Sequence, residues 1–142
     1  MSRIDRSALL PYPADKLFAL VNDIEAYPQY MEGCVGAEVL RDDGSVIEAR
    51  LDLARAGIRQ SFATRNRLLP PERIELSLIE GPFEHFAGVW EFKALGDSAC
   101  RVSLVLEFTL RSPVLGAAAG KLFESVASHL VEAISSRARA LY

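Results

Sequence analysis

The sequence predicts an α+β domain in which one curved antiparallel sheet is covered by a long C-terminal helix. Between Ser112 and Tyr142, Leu115, Leu122, Phe123, Val126, Leu130, Ile134, Ala138 and Leu141 recur at three- and four-residue steps, placing them along one helical stripe. Before that, alternating segments broken by Asp43-Gly44, Gly57, Pro70-Pro71, Gly81-Pro82 and Gly96-Asp97 have the pattern of successive antiparallel strands. A helix of about 45 Å, at 1.5 Å per residue, needs a broad apolar surface, and the strands must supply it.

The 142 residues form a single domain, 1–142, large enough to bury a core and a cavity. Sixteen basic against nineteen acidic side chains leave a net charge of −3, so no global basic field draws the chain to nucleic acid, and no DNA partner is expected. Cys34 and Cys100 stand alone, without the spacing of a zinc site or a disulfide framework; a reducing, cytoplasmic setting and no metal are expected. No apolar run reaches the length of a membrane span, and no stable membrane insertion is expected.

In chain order, a first strand starts near Ile4 and ends at Pro11. Pro13 then opens a helical stretch with Leu17, Phe18, Leu20, Val21 and Ile24 as its apolar positions, split by Asn22 and Asp23 into two short helices. Tyr27 to Cys34 is loop-like yet carries Tyr27, Tyr30 and Met31, residues that cap a core edge or form the entrance to a pocket. Strands follow over residues 35–41, 46–56, 58–69, 73–80, 86–95 and 99–111, giving six or seven in all. Gly81-Pro82-Phe83 forms a corner between two of them, and His85 falls in a loop. In the last strand Val102, Leu104, Leu106, Phe108 and Leu110 share one face, opposite Arg101, Ser103, Glu107 and Thr109. That apolar face, with Trp90 and Phe92 beside it, receives the terminal helix, for which Ser112 supplies an N-cap and Pro113 the first turn. Gly116 and Gly120 imply close packing of the helix on the sheet, or an irregular start to it.

Val21-Asn22-Asp23-Ile24-Glu25-Ala26-Tyr27-Pro28, Phe62-Ala63-Thr64-Arg65-Asn66, Gly81-Pro82-Phe83 with Gly88 and Trp90, and Ala99-Cys100-Arg101-Val102 together resemble the START-like (Bet v 1-like) helix-grip superfamily. The resemblance covers nearly the whole chain and is to the branch of coenzyme Q-binding proteins and ribosome-association toxins, related to polyketide cyclases. It implies a sheet wrapped around the C-terminal helix and a lipophilic cavity. It also implies ubiquinone binding that supports respiration, or blocking of ribosomal subunit joining through the large subunit.

On this basis Leu122, Val126 and Leu130 face Trp90, Leu106 and Phe108 across the cavity, and Tyr27, Tyr30, Phe83 and Phe86 surround its mouth. The same residues, Trp90 above all, also suit plain core packing. The ligand expected first is a quinone-like lipid, with no further cofactor; the large ribosomal subunit is the alternative partner. Arg59, Arg65 and Arg67 share one parity of a long strand, near Arg73. They form either a solvated face with Glu48 and Glu75 or a ribosomal RNA contact. His85 and His129 lack a nucleophile at useful spacing, so no enzyme is expected, a cyclase-like activity being the remaining alternative.

Overall fold

The computed structural model describes residues 2–111 and 113–142, and in the final helical region the side chains from residue 118 onward. Seven strands form one antiparallel sheet: β1 (Ser2–Leu10), β2 (Cys34–Asp42), β3 (Val46–Arg55), β4 (Ile58–Leu69), β5 (Arg73–Glu80), β6 (Phe83–Ala94) and β7 (Cys100–Leu110). Their order is β1-β7-β6-β5-β4-β3-β2, a meander whose last strand is closed by the first. Between β1 and β2 lie α1 (Ala14–Asn22) and a 3-10 helix (Ile24–Gln29), separated at Asp23 as the sequence implies.

Period-two alternation places the core. Val102, Leu104, Leu106 and Phe108 are buried while Arg101 is exposed; Trp90 and Phe92 are buried while Glu91 and Lys93 are exposed. The helices lie on this inward face, with the terminal helical region touching β1, β3, β4 and β7.

That region consists of two helices, α2 (Pro113–Ser128) and α3 (Leu130–Leu141), interrupted at His129. The cause is local. Ser128 Oγ donates to the Ser125 carbonyl at 3.1 Å, and His129 Nδ1 lies 2.6 Å from the same oxygen. The His129 N–H turns instead to Val126 O at 3.1 Å, three residues back, which tightens the turn and bends the axis. The helix resumes with Ala133 N–H bonded to His129 O at 2.9 Å. The N-cap expected at Ser112 and the contacts expected of Leu115 and Gly116 lie outside the described residues and side chains. Gly120 is as expected: a Cβ there would collide with Leu110, so the glycine lets α2 approach β7.

β6 begins at Phe83, three residues before the expected start, and His85 lies on this strand, exposed, rather than in a loop. Phe83 and Phe86 would face opposite sides of a regular strand. A register shift between Phe83 and His85 turns both inward. Phe83, only 2% exposed, therefore sits inside a cluster with Phe62, Phe86, Phe108 and Phe123, not at a pocket mouth.

Candidate functional site

Beneath α2 the curved sheet leaves an internal cavity. Its floor comes from inward positions of β3 to β7, among them Leu53, Phe62, Ile74, Phe86, Trp90 and Leu106, with Cys34 at the start of β2 beside them. Its roof is Phe123, Val126, Ala127 and Leu130, and Val21, Asn22, Ile24 and Tyr27 close its side. About 70 Å³ is reachable by the centre of a water molecule. At ~10–15 Å³ per water this is on the order of five waters, a space comparable to one aromatic ring.

Of the ten side chains expected around the ligand, Tyr27, Phe86, Trp90, Leu106, Val126 and Leu130 line the cavity. Phe83 and Phe108 stand behind it, their rings 5.1 and 4.8 Å from that of Phe123, and Leu122 is buried elsewhere in the core. Tyr30 lies outside as well. It is half-buried in a neighbouring surface groove, its ring 5.0 Å from the Arg137 guanidinium.

The groove and the cavity share Met31, Val126 and Leu130, which form the partition between them. Gly33 fixes its position: it has φ +89°, and an added Cβ would stand 2.7 Å from Val126 Cγ2. A residue with a side chain meets both backbone strain and a clash here. Arg55 straps the groove, bonding Ser125 Oγ at 2.9 Å and Glu32 at 3.2 Å. We expect Gly33→Ala to lower stability by about 1–3 kcal/mol. Urea denaturation checks this, and an unchanged midpoint would mean that the partition yields freely.

Among the described residues, none that lines the cavity is charged. Burial pushes the Tyr27 hydroxyl well above its ordinary pKa, and it donates a hydrogen bond to the Val21 carbonyl. Burial also raises the Cys34 thiol, leaving it protonated and weakly nucleophilic at neutral pH. His85 and His129 are outside the cavity. Its other polar side chains are Asn22, from the end of α1, with Thr64 and Asn66 from inward positions of β4. These three were not among the expected site residues. Their signal was legible as two polar residues sharing the inward parity of Phe62, opposite Arg65 and Arg67.

The arginines lie where their parity puts them, exposed on the outer sheet face. Arg65 pairs with Glu48 at 2.8 Å, Arg67 with Glu75 at 3.2 Å, and Arg73 with the same Glu75 at 3.1 Å. The Asp52 carboxyl is held below its ordinary pKa, first by the Ser61 hydroxyl and also by Arg50 and Arg59. The stripe is basic but largely accompanied by carboxylates.

A seven-stranded sheet gripping a C-terminal helix over an apolar cavity defines a START-like protein, and comparison with known proteins agrees. The chain belongs to the family described as polyketide cyclase / dehydrase and lipid transport, whose model matches residues 10–135. Within it, the chain is 45% identical to the ribosome association toxin RatA of Pseudomonas aeruginosa, over 99% of this chain and 98% of that protein. A coenzyme Q-binding protein COQ10 homolog B of Xenopus laevis is 20% identical over 96% of this chain and 57% of its own length. The crystal structure of the Zhui aromatase/cyclase from Streptomyces sp. R1128 superposes with a TM-score of 0.82. It covers 97% of this chain and 93% of the other at 19% identity, a likeness of fold alone.

Proposed function

We propose that this protein is a cytoplasmic, non-enzymatic interaction protein that binds the large ribosomal subunit and interferes with subunit joining. The observation that carries this reading is the 45% identity, end to end, with a protein named for ribosome association. It reverses the order expected from the sequence, where quinone binding stood first. The test is co-sedimentation of the purified protein with isolated large and small subunits, together with the yield of joined ribosomes on sucrose gradients. Pelleting with large subunits and fewer joined ribosomes is the expected result. Absence from the large-subunit fraction at low salt would end this reading.

A second reading, an apolar ligand in the cavity, is favoured by a lining without charged groups and by the COQ10-like relative. Burying apolar ligand surface contributes about 25 cal/mol per Å², so such a lining gives affinity without an ionic anchor. The cavity suits one ring, and an isoprenoid tail would extend past Met31, Val126 and Leu130, which line both this space and the neighbouring groove. Val126 lines the cavity, and Gly33 stands close on its other side, so in Val126→Phe this space is the room open to the added ring. We expect it to cost about 1 kcal/mol, at the low end of overpacking, and to abolish quenching of Trp90 fluorescence by a short-chain ubiquinone. Full quenching in the variant would place the ligand elsewhere.

A further inference from the structure

The polar groups of the cavity are arranged in a way that an apolar ligand alone leaves unexplained. Asn22 Oδ1 is buried and has no hydrogen-bond partner in the protein. Thr64 Oγ1 donates to Asn66 Oδ1 at 2.8 Å, and both residues are buried. This bond uses the one Thr64 proton and leaves the Asn66 amide nitrogen as the donor end of the pair. The three side chains line a single cavity, so it presents an acceptor without a donor together with an amide donor, among aromatic walls.

We propose that the cavity selects a neutral aromatic alcohol, a phenol or quinol head, with Asn22, Thr64 and Asn66 as its polar subsite. A hydroxyl group carries both functions these residues call for: it can donate a hydrogen bond to Asn22 Oδ1, and its oxygen can accept one from the Asn66 amide. An ether or a quinone carbonyl can only accept, which leaves Asn22 unsatisfied. A carboxylate head would be desolvated with no cation among the described lining residues. The aromatic body follows from Phe62, Phe86, Trp90 and Phe123, whose rings line the same space. In a quinone couple the reduced form is the one retained.

This inference rests on the reading of the cavity as a ligand site, and a matched pair of probes separates the two. Isothermal titration of the whole protein with 4-propylphenol and with 4-propylanisole compares ligands of one shape, of which only the phenol donates. The phenol is expected to bind on the order of 10-fold more tightly, as suits a hydrogen bond to a buried acceptor. In Asn22→Leu the ratio should fall to near 1, through weaker phenol binding. Equal affinities in the parent protein would overturn the polar subsite while leaving an apolar ligand site standing; water would then satisfy Asn22. A ratio that survives in Asn22→Leu would reflect size and would also overturn it. Failure of both probes to bind would overturn the ligand reading itself, and this inference with it.

Discussion

Phe83→Ala is expected to lower the melting temperature by roughly 10–20 °C, a larger loss of stability than that of Gly33→Ala or Val126→Phe. Phe83 is 2% exposed, and its ring centre lies 5.2 Å from Phe86, 5.1 Å from Phe123, 5.9 Å from Phe108 and 6.1 Å from Phe62. Truncation removes the transfer free energy of a buried ring and its edge-to-face contacts together, about 3–5 kcal/mol. The hole cannot readily close, because its walls are rings held by four different elements: β4, β6, β7 and α2. Thermal unfolding followed by circular dichroism measures the shift. A change below about 5 °C would mean that the site relaxes, or that Phe83 sits at the surface, as its corner position in the sequence suggests.

Replacing Arg59, Arg65 and Arg67 together by glutamine is expected to weaken binding to large subunits on the order of 100-fold at 0.1 M salt. It should also reduce the salt slope by about three, one for each lost phosphate contact. The Glu48 and Glu75 pairs do not prevent such contacts. Arg65 and Arg67 side chains are 55% and 66% exposed. Arg65 is the more firmly held, by Glu48, itself 18% exposed, whereas an exposed pair such as Arg67–Glu75 contributes only about 0–1 kcal/mol, so Arg67 exchanges its carboxylate for a phosphate readily. For the same reason the variant should keep the fold and the affinity of the cavity for apolar probes. Binding that is equal to the parent at every salt concentration would remove the outer stripe from the ribosome contact and direct the search to another face.

Element order, the inward faces of the strands, the α1 break at Asp23 and the outward position of the arginines are all legible in the amino-acid order. Each follows from a local rule: period two in strands, period 3.6 in helices, and breakers that act where they stand. What depends on register or on a neighbour's side chain is settled only in three dimensions. The shift between Phe83 and His85 makes Phe83 core instead of rim, although alternation alone puts Phe83 and Phe86 on opposite faces. The side chains of Ser128 and His129 divide the terminal helix, because their competition for one carbonyl is invisible in the apolar stripe. Tyr30 and Tyr27, three residues apart on one short segment, end on different sides of the partition at Met31. The polar subsite belongs to this second class too: Asn22 ends a helix and Asn66 lies in a strand 44 residues later, and only the curl of the sheet beneath α2 brings them to one cavity.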